Sequence, residues 1–518
     1  MASDTAPSQA DVVIIGAGHN ALVCAGYLAA AGLQVIVLEA GAVVGGNTAT
    51  EELTLPGFQH DSCSSAHVLI QSNPVIRDDE LGLCARYGLR YERVDPAVVM
   101  PLPDGDALVM HRDLDATADE LARFSPADAT ALRALMADWD GGLATAHGRW
   151  NDGVPPGQTA ADAAYAALRR RSSREVIEST FTHPVVRSLM MWLAFATFQP
   201  PDRPGTGVLP LAITSGRLRH GWATPVGGSA ALPQALARLV GDHGGTVLTA
   251  ARVSRILVEH GRACGVETTD GRRFTARRAV VSAAHLAQLP EMLEPASCPA
   301  QLRAAAQAWR PGLSLFAVHV ALRHDIRVHT GAGPRTAVAA ALGSGAGVMA
   351  QLQAFRRGEV ETADPWILVV SPTVVDPDRA PDGGGTLKLL TSAPYERADG
   401  RDWAQARDEY AAVLLDRVRE HADGLDEDNV LAVLPASPVD LAAHNPANLG
   451  GSCHGGELVE PDGSVSPGWR SHRSPLPGLY LTGSTTHPGG SVSGRPGRNT
   501  ARVLLDDLGI GATTVMGA

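Results

Sequence analysis

Lysine is almost missing from this 518-residue chain. Of its 43 basic residues one, Lys388, is a lysine and the remainder are arginines. With 55 acidic residues the formal net charge is −12. That balance excludes nucleic acid and anionic membrane as general partners. Cysteine is scarce as well: six residues stand singly, with no Cys-x-x-Cys pair. A disulfide framework and a zinc site are thereby excluded, no metal is expected, and a reducing cytoplasm is the expected compartment. No apolar run reaches the length of a membrane span, and no basic amphipathic helix offers surface docking. Met1 to Ala10 lacks the basic start and apolar centre of a signal peptide and reads as a frayed tail. Neither a fixed-period repeat nor a long disordered linker is present. What remains is 45% hydrophobic, enough for a large core. At this length two intertwined domains are expected.

The most informative segments lie at the two ends. Asp11-Val12-Val13-Ile14-Ile15 is a β-branched run that breaks into Gly16-Ala17-Gly18-His19-Asn20-Ala21. A helix-compatible stretch follows, then the apolar Val35-Ile36-Val37-Leu38 ending on Glu39. Strand, glycine turn, helix, strand and terminal acid form a dinucleotide-binding βαβ unit. Gly16 takes the tight turn, and Gly18 lets backbone amides approach a pyrophosphate. The helix opening near Asn20 points free N–H groups at that phosphate, and the small Ala21 permits close helix–strand packing. Glu39, twenty-three residues after Gly16, is placed to accept ribose hydroxyls and to repel a 2′-phosphate. More than four hundred residues later, Leu479-Tyr480-Leu481-Thr482-Gly483-Ser484 is another strand entering a glycine turn, followed by Gly489-Gly490-Ser491-Val492 and a helix beginning near Gly497.

Glu39-Ala40 is followed by Gly45-Gly46-Asn47-Thr48, and this extension resembles the flavoprotein group of amine oxidases, carotenoid desaturases and glutathione-reductase-type enzymes. Pro56 to Ser65, the Gly221 to Ser229 loop and Leu479 to Gly494 resemble phytoene-dehydrogenase-like flavoproteins more closely. The resemblance spans nearly the whole chain. It implies FAD as cofactor, bound by Gly16, Gly18, Asn20, Ala21, Glu39, Ala40, Gly45, Gly46, Asn47, Thr48, Val253, Gly483, Ser484, Gly490, Ser491 and Val492. Val253 would touch the adenine through its backbone. Many relatives place Asp where Ser484 stands, so phosphate or ribityl recognition there rests on a hydroxyl and backbone amides. Glycine-rich backbone before the last helix would face the flavin pyrimidine and favour its anionic reduced form.

The expected fold is α/β: a discontinuous Rossmann-like FAD domain with an inserted α+β substrate domain, a mixed sheet plus a helical cap. Flavin-domain segments are expected at 10–75, 221–304 and 441–518, and substrate-domain segments at 76–220 and 305–440. Helical stretches are read at 128–138, 160–170 and 230–240, and strands at 313–320, 366–370 and 386–391. Gly343-Ser344-Gly345-Ala346-Gly347 has the wrong glycine spacing for a second dinucleotide site and reads as a loop, so no nicotinamide domain is expected.

Acid–base candidates are fewer. His67 follows the His60-Asp61-Ser62 segment that the resemblance sets beside the flavin; it either takes a substrate proton or is a hydrogen-bonded wall residue. His487 lies inside the C-terminal signature and either orders its loop or acts in catalysis. Lys388, on the alternating Thr386-Leu387-Lys388-Leu389-Leu390, matches in placement the water-holding lysine of amine oxidases; a solvated strand face is the plainer alternative. Trp222 reads as an aromatic wall or as packing, Cys63 as a buried thiol or a flavin attachment point. Phe181 to Phe198 is apolar at helical spacing, for core packing or for lining an apolar site. The expected activity is a two-electron dehydrogenation, C=C or C=N formation, by a tailoring desaturase or oxidase using oxygen or a quinone as acceptor. A membrane-docked carotenoid desaturase or isomerase, an amine oxidase and a non-catalytic binding protein on the same fold are the alternatives.

Overall fold

The computed structural model describes residues 7–459, 465–511 and 513–516. Its first sheet is built around Gln9–Ile15, which pairs in parallel with Val35–Leu38 on one side and with Arg273–Ser282 on the other. Thr246–Leu248 extends it beyond Val35–Leu38. The far edge of Arg273–Ser282 is shared: its start takes Arg262–Thr268 antiparallel, and its end takes Leu479–Leu481 in parallel, Val280 opposite Leu479. Val35–Leu38 is buried along its whole length, as a central parallel strand covered on both faces must be. Helices His19–Ala30, Ala231–Asp242 and Arg495–Asp507 lie together on one face. The two ends of the chain therefore meet in one layer.

The second sheet runs 430–436, 315–322, 385–392, 367–370, 339–342, 98–101 and 107–110 in spatial order. Alternation along Leu315–Leu322 divides its faces. Leu315 and Ala317 join the helical layer of residues 114–220, while Phe316, Val318 and Val320 pack with Trp403 and Tyr410 of the Trp403–Arg419 helix. The fold is the α/β class expected, with a mixed second sheet and a helical cap.

Three local expectations are corrected. Val98–Pro101 and Ala107–Met110 form a hairpin of four-residue strands inside the 76–220 segment, where only helical stretches were read. Strands this short carry too few positions for a period-2 signal to outweigh the helical segments around them. The glycine-rich 343–347 stretch opens the Gly345–Arg356 helix, capped by the Ser344 hydroxyl accepting from Gly347 N–H at 3.0 Å; Ser followed by small residues is a helix start as readily as a loop. Gln9 and Ala10, assigned to a frayed tail, begin the first strand, and residues 1–6 of that tail lie outside the described residues.

A buried ion pair ties the Gln59–Asp61 strand to the 377–379 turn. Arg379 and Asp61, each about 2% exposed, meet at 3.1 Å, and Arg379 also donates to the Gln59 carbonyl. The same carboxylate accepts from Thr50 Oγ1 and Ser229 N–H, each at 2.8 Å. Burial alone would raise the Asp61 carboxyl, but Arg379, these donors and Lys388 hold it below the usual carboxylate range. Among the described residues no helix is long and apolar enough to cross a membrane.

Candidate active site

The glycine turn after the first strand is held from both sides. Gly16 sits at φ +88°, a left-handed conformation that glycine adopts without strain. Gly45 N–H donates to the Ala17 carbonyl at 2.9 Å, stitching the turn to the double-glycine extension. Ala17 N–H and Gly41 N–H each donate to the Glu39 carboxylate at 2.7 Å, fixing the acid at the strand end. The His19–Ala30 helix starts at Gly18 with no side-chain cap and no acid in its first turn. Its first amides and its positive dipole end are left for an anion. The buried Asn20 side-chain oxygen has no hydrogen-bond partner.

The C-terminal signature reaches the same place. The His19 ring meets the Ser491 carbonyl at 3.2 Å, and Asn73 Nδ2 donates to the Ser493 carbonyl at 2.8 Å. A cavity of about 560 Å³ opens here. One end is walled by Gly16, Gly18, Asn20, Ala21, Glu39, Ala40 and Val253. Gly45, Gly46, Asn47, Gly483, Ser484, Ser491 and Val492 line it further along. Fourteen of the sixteen residues singled out for the cofactor are thus brought together. Thr48 and Gly490 stand behind the wall: Thr48 Oγ1 donates to the Gly45 carbonyl at 2.7 Å, and a Cβ on Gly490 would lie 2.2 Å from the His454 carbonyl oxygen.

The other end is apolar. Ala196, Phe198, Trp222, Leu315, Leu368 and Leu390 face it, with Cys63 to Ala66, Arg217, Cys453 and His454. Burial lowers His454 to about 4, so it is neutral at physiological pH. Trp222 is the aromatic wall that the sequence offered as one of its two roles, and Phe198 ends the apolar run read at helical spacing. Arg217, Cys453 and His454 carry no motif and were missed.

None of the three acid–base candidates lines this cavity. His67 is fully buried, bonded at Nδ1 to the Tyr91 hydroxyl (3.1 Å) and at Nε2 to Ser229 Oγ (3.2 Å); burial pushes it down to about 3. His487 is 7% exposed; its ring nitrogen meets the Trp150 carbonyl and its ring packs edge-on to that indole. Lys388 corrects the solvated-face reading. It is 4% exposed in the middle of the second sheet, and Nζ donates to the carbonyls of Asp61 (3.0 Å) and Cys63. Strand alternation was legible, but the face carrying Lys388 is covered by the 61–63 backbone. Its ammonium holds the 61–63 backbone from behind, and burial lowers its pKa.

Comparison with known proteins agrees with the motifs. The chain is 28% identical over 540 residues to a limonene dehydrogenase polypeptide of Castellaniella defragrans, covering 97% of this chain and 95% of that one. It is 25% identical to a neurosporene-forming phytoene desaturase of Cereibacter sphaeroides, with 95% and 94% covered. A putrescine oxidase structure superposes with a TM-score of 0.62 at 17% identity, over 97% of this chain and 99% of that one. The resemblance to phytoene-dehydrogenase-like flavoproteins is borne out. Residues 22–505 match the model of the flavin containing amine oxidoreductase family, so the chain belongs to that family and is a FAD-dependent oxidoreductase.

Proposed function

We propose that the chain removes two hydrogens from a modest-sized, largely apolar metabolite, forming C=C or C=N, as a biosynthetic desaturase or oxidase. The observation that carries this reading is one continuous cavity joining a nucleotide-binding turn to an apolar, aromatic-walled end. The uncapped helix end and the orphaned Asn20 side chain at that turn fit a dinucleotide. When bound, FAD supplies the two-electron, hydride-accepting centre.

In this reading Gly16, Gly18, Asn20 and Ala21 receive the pyrophosphate, and Glu39, Ala40 and Val253 the adenosine. Gly45 to Thr48, Gly483 and Ser484 hold the ribityl region, with the Ser484 hydroxyl where many relatives have a carboxylate. Ser491 and Val492 present backbone to the pyrimidine, with Gly490 packed behind them. Trp222, Phe198 and the leucines exclude water and orient the C–H bond, which is how positioning lowers the barrier. The proton goes to His454, the weak base in position, or to solvent. Electrons pass on to oxygen or a quinone.

Anaerobic mixing of the holoenzyme with a panel of terpenoid, aryl-alkyl and amine compounds, including apolar carboxylic acids, tests this. Bleaching of the flavin by an apolar member is expected, and the rate of recolouring in air separates oxidase from dehydrogenase. A flavin that dithionite reduces but no apolar member does contradicts the reading.

A further inference from the structure

Arg217 is a buried cation without a counter-ion. It lies in the last turn of the Leu209–His220 helix, 6% exposed, on the cavity wall. Its Nε and Nη1 are buried with no hydrogen-bond partner, and no carboxylate pairs with it among the described residues. Its one evident support is the Trp222 ring, 4.1 Å from Cζ to ring centroid. Burial pulls its pKa to about 9, so it is still a cation at neutral pH.

Such a group is strongly disfavoured unless something completes it. Charged side chains are almost never fully buried unless paired, and unmet guanidinium donors carry the desolvation penalty without return. The helix C-terminus and the indole face each stabilise a cation, but no carbonyl of that helix end accepts from Nε or Nη1. The acids on the cavity wall are Glu39, held at the glycine turn by Ala17 N–H, and Glu291, and neither bears on Arg217. Arg217 stacks on Trp222 and no charged side chain bears on it; the same cavity is walled by Phe198, Leu315, Leu368 and Leu390, by Cys63, Ser64 and Ser65, and by the neutral His454. An apolar enclosure with one fixed positive fork describes a complementary ligand: a hydrocarbon or aromatic body ending in a planar oxyanion.

We propose that Arg217 anchors a carboxylate on the substrate, so that the enzyme acts on an apolar carboxylic acid bound by a two-pronged guanidinium–carboxylate contact. This rests on the proposed dehydrogenation at the same cavity and names its substrate class. Guanidinium geometry matches a carboxylate bidentately, and stacking on Trp222 holds the fork oriented before the ligand arrives. Anchoring the acid end would fix which C–H bond of the body is presented.

The test titrates the holoenzyme with octanoate and phenylacetate, and with octanamide and phenylacetamide, following the visible flavin spectrum and the heat of binding. The acids are expected to bind roughly tenfold to a hundredfold more tightly than the amides, the range for hydrogen bonds to charged groups. Arg217→Met should abolish that preference while keeping its flavin, and Arg217→Lys, which keeps charge but not the fork, should retain part of it. Equal binding of acid and amide, binding of neither, or an Arg217→Met protein with unchanged acid affinity overturns the proposal. Flavin loss in both variants without change in acid preference also overturns it, because the guanidinium then serves the cofactor and not the substrate. The acid–amide comparison on the unaltered enzyme decides even where a variant does not fold. A protein that binds no flavin fails the functional reading, whereas a yellow protein indifferent to carboxylates fails this proposal alone.

Discussion

Acidification to about pH 5 is expected to unfold the protein at temperatures where it is stable near neutrality. The cause is a set of histidines buried in neutral form. His60 and His285 are held down to about 4 and His67 and His472 to about 3, in each case chiefly by burial. His319 is pushed well below its ordinary value for the same reason. All five are 3% exposed or less. An unfolded histidine titrates near about 6.5. The folded values lie below that, so the stabilisation is complete above about 6.5 and is lost as pH falls towards 4, where the unfolded chain binds protons that the folded one refuses. Each of the four groups held to about 3 or 4 loses about 2 kcal/mol by pH 5, together roughly 8 kcal/mol, with His319 adding in the same direction; that is comparable with the whole stability of a typical domain. His444 opposes this, because Glu51 raises it, but that pair is about one-third exposed and weak. Thermal unfolding followed by circular dichroism from pH 8 downward checks it: the midpoint should fall steeply below pH 6. A midpoint that stays level to about pH 4.5 would refute it.

Replacing Gly497 with alanine is expected to strip the flavin. Gly497 lies in the Arg495–Asp507 helix where it crosses His19–Ala30, and a Cβ there would stand 2.1 Å from the Asn20 carbonyl oxygen and 2.9 Å from Val23 Cβ. Backbone cannot yield as a flexible side chain can, so the helices must part at the turn of His19–Ala30 that carries Asn20 and Ala21. Overpacking of this kind costs about 1–3 kcal/mol, and more where backbone must move. The larger consequence is functional, since the same helix end carries the phosphate-facing amides. Gly241→Ala is the control: Gly241 sits in the Ala231–Asp242 helix with nothing within 4 Å of its added Cβ, and alanine there should stabilise by about 0.5–1 kcal/mol. Flavin-to-protein absorbance ratios of the two purified variants should differ severalfold. Equal ratios would mean that the helix crossing does not support the cofactor.

What could be read from the chain was whatever physics writes locally. The Gly16 turn, Glu39 and the Leu479–Leu481 strand are contiguous patterns whose spacing follows from one strand, one turn and one helix. The cavity's far wall has no such pattern, because Phe198, Leu315, Leu390 and His454 come from two loops and two strands far apart in the chain and meet only after folding. Lys388 shows the limit of alternation: period 2 tells which residues share a face, not whether that face meets water or another layer. Arg217 left a faint signal. The helix that carries it opens on the apolar run Leu209 to Ile213, so a charge one turn further along the same buried helix asks for a partner. His67 and His487 were drawn to the site by neighbouring motifs, yet sequence adjacency to a wall does not decide which way a ring points.

The claim on which the rest depends is that residues 16–21 and 483–492 grip one FAD together. Hydrogen–deuterium exchange of the apoprotein before and after FAD addition measures this most directly. Slowed exchange in both segments at the same FAD concentration is the predicted result. Protection confined to one of them, or absent from both while FAD is bound, would contradict it.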